Sequence, residues 1–454
     1  LTDPAARPAR TLPFLLCVGW GLGTLGIAIM FNSTNILVLR FMTDQLGIAA
    51  AVGGLLVGLS KVYDACMDPV IGGISDRTRT RWGRRRPFLL AGSVLCGAVM
   101  IVLFDVPALS PDVATVYMGV ALILFATAYA SFNVPYLAMP AEMTDDYHER
   151  SYLMSFRVFG VSIGQALGGF LGPALIASQT DKRAGYGIMG WTLGALTLAA
   201  CLACFFLTRR ARFAERHEGI HMPVWRQFKL AWGNRPFMML MGAKLCQLMS
   251  LAIVQATLAF FTVRVLHVSD VVLGVLTLLN TGGIIVTIPF WVWFSRRYGK
   301  RAAFMTSVLS YGAIMATWVF SGPDEPSALV YLRNFASGFG ASGMLLMGAS
   351  MLPDTMEYDF RRTGLRREGI FSGIYTTIEK IAFALGVSVL GVFLGAMGYV
   401  QSTGRDVAQP PSAITALYIC IGVAPLAGAV MSCLFLWNYD LSESRLKSQQ
   451  AVVS

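Results

Sequence analysis

The sequence predicts an all-α membrane protein of twelve transmembrane helices arranged as two halves of six. Three observations predict it. Of 454 residues, 55% are hydrophobic and only 13% charged, whereas a soluble domain carries about 25% charged side chains. Apolar runs of about 20 residues, each enough to cross about 30 Å of hydrocarbon, can be marked twelve times along the chain. The longest polar stretch, 209–235, falls between the sixth run and the seventh and splits them evenly.

The runs lie near 12–40, 48–75, 87–107, 113–141, 151–178, 184–208, 236–264, 270–294, 302–320, 327–352, 369–398 and 413–438. Their connections sort by charge. One set is basic: Arg77, Arg79, Arg81, Arg84, Arg85 and Arg86 after the second run, Arg209, Arg210, Arg212 and Arg216 in the linker, then Ser295–Arg301 and Arg361–Arg367. The loops at 105–112 and 321–326 hold no Lys or Arg. The net charge of +11 is therefore a positive-inside signature, not a nucleic-acid footprint. Both termini and the basic loops are expected to be cytoplasmic, in an inner or plasma membrane. The expected domains are an N-terminal half (1–208), a cytoplasmic linker (209–235), a C-terminal half (236–438) and a cytoplasmic tail (439–454). The leading LTDPAARPAR carries no small-residue cleavage site and reads as tail, not signal peptide.

All eight cysteines, including the lone Cys201/Cys204 pair, fall in apolar segments, so packing is expected from them and not disulfides or a metal cage. Gly160, Gly164, Gly168 and Gly172 recur every four residues of the fifth run, a face on which another helix can approach closely. Gly21, Gly23 and Gly26 match GxGxxG, but they lie in a span with no strand before them and read as helix packing. His217-Glu218-Gly219-Ile220-His221 matches HExxH, the one handle for a membrane metalloprotease. Gly219 and Pro223 weaken the helix that would have to hold both imidazoles on one face.

The chemistry concentrates in ionisable residues within the runs. Lys61, Asp64 and Asp68 stand at i, i+3 and i+7 of the second run, on one side of a helix. Charges in a spanning segment face a bundle interior or water cavity and mark an ion or substrate path. A structural ion pair between Lys61 and the aspartates is the plain alternative, but it would satisfy only part of the cluster. Two carboxylates one turn apart in a low dielectric resist double ionisation, which suits a proton carrier. Glu379 and Lys380 sit roughly 15–17 Å into their run at 1.5 Å per residue, too deep to escape, and point about 100° apart. Arg157, Lys244 and Arg333 lie nearer the ends of theirs, where snorkelling is open to them. Asn32 and Asn35 can hydrogen-bond a polar solute or another helix.

The segment KVYDACMDPVIGGISDRTRTRWGRRRP at 61–87, NVPY at 133–136, and PDTMEYDFRRTGLRREG at 353–369 followed by Lys380 resemble the glycoside-pentoside-hexuronide:cation symporters, whose best-studied branch carries melibiose. The resemblance runs over nearly the whole chain. It implies a major facilitator fold, in which solute binds between two six-helix halves near the midplane. SRRYGKR at 295–301 echoes the basic loop after the second run, as two repeats would require. By motif position, Asp64 and Asp68 are implied as the cation-binding carboxylates, with Lys380 pairing them. Arg157, Thr376 and Asn133 are implied at the solute site, and Asp76 with Arg77 at a gate on the basic side. Where melibiose-type members carry acidic residues on the first and fourth helices, this chain has Ala28 and Asn133, and Leu137 replaces an aromatic. The resemblance extends more weakly to proton-coupled sucrose carriers, through the basic loop, and to sodium-dependent lysolipid carriers, through MLPD at 351–354.

The expected function is symport of a small organic solute, a sugar or glycoside, driven by a cation gradient; an amphiphile or lysolipid carrier is the alternative. The partners are then the solute, the coupling cation and the bilayer, with no nucleic acid, no cofactor and no evident obligate protein partner. H⁺ is the expected ion and Na⁺ the alternative. In Na⁺-using members of the family, oxygen-bearing side chains flank the second aspartate and occupy the fourth helix. Met67 and Ala130 stand at those positions here and offer none.

Overall fold

The computed structural model describes residues 12–143, 147–210, 232–363, 368–404, 407–439 and 441. Within them, twelve helices are long and apolar enough to cross a membrane. The N-terminal six are α1 (Phe14–Asp44), α2 (Ala50–Arg77), α3 (Arg86–Phe104), α4 (Pro111–Met143), α5 (Tyr147–Ala177) and α6 (Lys182–Leu207). The next four are α7 (Arg235–Arg264), α8 (Asp270–Tyr298), α9 (Lys300–Ala316, with a 3-10 turn to Phe320) and α10 (Ser327–Thr363). The last are α11 (Glu368–Ala396) and α12, which runs from Pro411 to Leu436 through a π turn at Ile419–Val423. The HEGIH motif, most of the 209–235 linker, the first eleven residues and all of the tail but Tyr439 and Leu441 lie outside the described residues.

One helix outruns its apolar pattern. The tenth run was expected to stop near 352, yet α10 continues to Thr363. Its extra turns carry Asp354, Glu357, Asp359, Arg361 and Arg362, so the helix passes out of hydrocarbon and stays helical in water, where an Arg361–Glu357 pair at 2.7 Å braces it at i, i+4 spacing. At the other extreme, α8 and α9 are separated by Gly299 alone, whose φ of 86° is open to glycine and strained for other residues.

The two halves repeat one packing scheme. In the first, α1 lies on α5 and α6, α2 on α4, and α3 on α4 and α6; in the second, α7 lies on α11 and α12, α8 on α10, and α9 on α10 and α12. Between halves, α2 meets α11, α5 meets α8 and α1 meets α7. Small residues decide how close these approaches are. A Cβ on Gly160 would lie 2.3 Å from the Gly21 carbonyl oxygen, and one on Gly164 2.5 Å from that of Leu25, so the fifth-run glycines let α5 lie against the α1 backbone. Across the halves, Ser388 Oγ donates to the Gly54 carbonyl at 3.0 Å.

Since α1 starts and α2 ends on one face of the bundle, the basic loops share that face, here termed the basic face. Toward the opposite, far face, α2 and α11 touch through Gly54 and Gly391. Toward the basic face they part, and a Cβ on Gly73 or Gly373 would meet nothing within 4 Å.

Candidate functional site

Where α2 and α11 begin to part, three charges meet. Lys380 of α11 places its Nζ 2.9 Å from Asp64 Oδ2 and also donates to Asp68 Oδ2. Asp64 is buried, while Asp68 keeps 32% of its side chain exposed. In each carboxylate the second oxygen, Oδ1, is buried and has no hydrogen-bond partner. Pro69 has no N–H, so the Ala65 carbonyl beside Asp68 also lacks its usual helical donor.

Lys61 does not pair with the aspartates as expected. Its ammonium lies over the ring of Phe31 at 4.6 Å and over that of Phe125 at 5.6 Å. Helical side chains lean toward the N-terminus of their helix, so a lysine preceding Asp64 reaches away from it, toward aromatic rings of α1 and α4. The carboxylates are taken by Lys380 from the opposite half. Tyr129 of α4 floors the cluster, its ring centroid 5.8 Å from Lys380 Nζ.

Glu379 and Lys380 diverge as adjacent helical residues must. Lys380 faces α2, whereas Glu379 lies within electrostatic reach of Lys244 of α7, Tyr375 of its own helix and Arg157 of α5. The depth of Glu379 in its run leads one to expect a charge partner, yet among the described residues it forms no ion pair, and its nearest cations act at longer range than a salt bridge. Lys244 is not snorkelling. It is 2% exposed, its ammonium is 5.6 Å from the Tyr375 ring centroid, and a Cβ on Gly348 of α10 would lie 2.9 Å from its Nζ. It lies nine residues into α7, about 13 Å from the helix start at 1.5 Å per residue, and α10 at Gly348 covers its way out. Arg333, by contrast, does lie at an end, paired with Glu325 at 2.7 Å.

The other expected solute residues separate into used and unused groups. Asn32 donates to the Gln165 carbonyl at 2.8 Å and so ties α1 to α5. It also lines a cavity of about 70 Å³ with Gln255, Asn280, Asn334 and Ser337. Asn35 Nδ2 and Arg157 Nε are buried without partners. Thr376 is exposed, its hydroxyl turned back to the carbonyls of Ser372 and Gly373 on its own helix. Asn133 is half-buried on α4 and Leu137 exposed. At the expected gate, Asp76 pairs with Arg85, whose other nitrogen donates to Ser75 Oγ at 2.9 Å, while Arg77 is exposed. The α2–α3 loop folds Arg85 back on the helix end, so this pair braces one half internally.

A second buried charge cluster was missed. At the far face, Arg40 of α1 pairs with Asp270 of α8, and Asp44 of α1 accepts from Arg264 of α7 at 3.2 Å and from the Tyr399 hydroxyl at 2.9 Å. The chain after α11 is strapped to the same point: Ser402 N donates to the Thr43 carbonyl at 2.9 Å and Gly404 N to the Asp44 carbonyl at 2.8 Å. Burial and the neighbouring Asp44 carboxylate push the Tyr399 phenol up, keeping it a neutral donor. These residues join the two halves across three helices and one loop. Arg40 and Asp44 at i, i+4 gave a signal, but at the end of a run they resemble ordinary topology charges.

Residues 19–443 match the family described as MFS/sugar transport protein. The putative glycoside/cation symporter YagG of Escherichia coli K12 is 29% identical, over 95% of this chain and 93% of its own. The glucuronide carrier protein homolog of the same organism is 27% identical, over 96% and 95%. In fold, the chain is similar to a bacterial homologue of the human drug peptide transporters PepT1 and PepT2, with a TM-score of 0.68 at 14% identity over 96% of this chain and 99% of that one.

Proposed function

The chain belongs to the MFS/sugar transport protein family, and we propose that it imports a sugar or glycoside by symport with H⁺. As a member of that family it is a multi-pass membrane transporter, not an enzyme. The observation that carries the symport reading is the bridge from Lys380 to both Asp64 and Asp68 across the two halves. A tethered ammonium here occupies the place of a coupling cation. When a proton or metal cation takes the carboxylates, their hold on Lys380 weakens, and α2 and α11 are freed to move relative to each other. Cation occupancy and the relation between the halves are thereby linked, as symport requires.

H⁺ is favoured over Na⁺ by the donor set. Met67 and Ala130 supply no side-chain oxygen, and a hard cation needs several. A proton needs one carboxylate, and the buried Oδ1 atoms of Asp64 and Asp68 are free to receive it. The printed names of the relatives, a glycoside/cation symporter and a glucuronide carrier homolog, support a sugar derivative as solute. Arg157, Asn133, Thr376, Asn32 and Asn35 are its candidate contacts beside Lys380. The basic face is assigned to the cytoplasm of an inner or plasma membrane, with both termini on that side and 209–235 joining halves 1–208 and 236–438. The far-face cluster then closes the outer side of the pathway.

Proteoliposomes given an imposed pH gradient or an imposed Na⁺ gradient, with the other ion equal across the membrane, test the reading on a panel of radiolabelled methyl glycosides. Accumulation under the pH gradient is expected. Accumulation driven by Na⁺ alone would overturn H⁺ coupling, and none under either gradient would overturn glycoside symport.

A further inference from the structure

Three carboxylates stand at mid-depth on α2 and α11, which pack together as α7 packs on α11, and they are not equivalent. Asp64 and Asp68 are both held by Lys380. Glu379 has no ion-pair partner among the described residues, although two cations flank it: Lys244 from its own half and Arg157 from the other. Among the described residues, Arg157 keeps a buried Nε without a partner, and Lys244, which contacts the Tyr375 ring, makes no ion pair. One turn away from Lys244 on α7, at i+3, Gln247 likewise keeps a buried Oε1 unpartnered.

A carboxylate that only neutralised a buried lysine would sit in contact with it, because isolated buried charges are costly and direct pairing is what offsets that cost. Here the two cations lie within electrostatic reach of Glu379, and it forms no ion pair with either. That arrangement fits a polyhydroxylated guest. Vicinal hydroxyls of a sugar donate to the two oxygens of one carboxylate, and a guanidinium donates to the hydroxyl oxygens from the opposite side. We propose that Glu379 is the specificity-determining carboxylate of this transporter, accepting hydrogen bonds from adjacent hydroxyls of a neutral sugar ring. In this role Tyr375 orients it, and Arg157 closes on the same ring from the other half. The inference rests on the glycoside reading above and adds the residue that selects the solute.

The position also explains how solute and cation are linked. Lys380 follows Glu379 directly, so one turn of α11 presents the solute carboxylate toward α5 and α7 and the tethered ammonium toward α2. A sugar drawn between Glu379 and Arg157 pulls on the turn that holds Asp64 and Asp68.

The experiment measures uptake of methyl glycosides and their single-deoxy analogues by proteoliposomes containing the wild type, Glu379→Gln, Glu379→Asp, or Glu379→Gln with Lys244→Met. In the wild type, removing one of the paired hydroxyls should raise KM at least tenfold. Glu379→Gln should raise KM for the parent sugar by a similar factor and then be blind to the missing hydroxyl. Glu379→Asp should recover part of the discrimination, and the double variant should recover none. An H⁺-dependent thermal shift, retained in every variant through Asp64 and Asp68, reports that the fold is intact. Recovery of wild-type KM in the double variant would overturn the proposal, leaving Glu379 a counter-ion for Lys244. So would an unchanged KM in folded Glu379→Gln, or a gain only for uronic acids. A wild type that moves no glycoside would overturn the glycoside reading itself, and this inference with it.

Discussion

Two clusters in this molecule use the same ingredients, buried aspartates and long cations reaching from one half to the other, and they are finished differently. At mid-depth, Lys380 is shared by Asp64 and Asp68, two buried carboxylate oxygens are left over, and Asp68 is partly accessible. At the far face, Arg40 and Arg264 answer Asp270 and Asp44 with one cation for each carboxylate, Tyr399 adds a neutral donor, and two main-chain hydrogen bonds tie the following loop down. Excess acceptors make a site that can take a further cation. A balanced, buried set makes a clasp.

The largest effect should come from breaking the first cluster. Asp68→Asn should abolish gradient-driven accumulation while solute exchange survives, since the carboxylate holds the coupling ion and the solute is held chiefly from the other side of α11, by Glu379 and Arg157. Removing the opposing charge as well, with Lys380→Met, should not restore accumulation, because no proton carrier returns. Uptake against counterflow in the same vesicles separates the two activities. Wild-type accumulation in the double variant would make this cluster a clasp like the other.

The far-face cluster should behave in the opposite way. Asp270→Asn leaves Arg40 buried with only its longer contact to Asp44 at 3.9 Å, and breaking a buried pair costs about 3–5 kcal/mol. At about 1.4 kcal/mol per tenfold, that is enough to shift the balance between far-face-closed and far-face-open states by about two to four orders of magnitude. Spin-label distances across the far face should lengthen accordingly. Replacing both partners, Arg40→Met with Asp270→Leu, should bring the distances back, since an apolar pair of similar volume offsets the loss. Failure of that rescue would mean the pair does chemistry, not closure.

What the sequence made legible follows from which physics each feature depends on. The spans were readable because hydrocarbon imposes a length, and the α5 glycines because close packing demands the same small residue every turn. Asp64, Asp68 and Lys380 stood out because charge at mid-depth is rare. The Asp270–Arg40 clasp did not, since charges at helix ends are common and only the tertiary fold shows that four of them coincide. The partner of Asp64 was legible only through the family resemblance, which implied Lys380: helical spacing alone put Lys61 nearest, and side-chain direction explains why Lys61 turns away. Lys244 was misjudged because depth along a helix says nothing about whether a neighbouring helix blocks the way out.

A smaller effect sharpens that distinction between lysines. Lys61→Met removes an ammonium held by Phe31 and Phe125, a cation–π contact worth about 2 kcal/mol when desolvated. Accumulation should persist in this variant, with a thermal stability loss of that order, whereas Lys380→Met should accumulate nothing. If the two lysines proved interchangeable in uptake assays, the coupling cluster would extend to Lys61.

The smallest effect expected is that of Tyr399→Phe, and its pH behaviour separates the clusters most cleanly. The variant removes one hydrogen bond to Asp44, which retains Arg264. A hydrogen bond to a charged group contributes about 1.5–3 kcal/mol, so with the arginine still in place about 1 kcal/mol should be lost. The phenol is pushed up by burial and by Asp44, so the folded state binds its proton more tightly than the unfolded chain, whose phenols titrate near 10. Its contribution is therefore fully present below about pH 10 and is lost only as pH rises beyond that. The difference between Tyr399→Phe and wild type in far-face spin-label distances should then be flat from pH 5 to 9. H⁺-driven uptake, which consumes the proton as co-substrate, should fall as the pH of the proton-supplying side rises over the same range. A Tyr399→Phe effect that changes between pH 5 and 8 would show that the clasp contains a titrating group and shares in proton coupling.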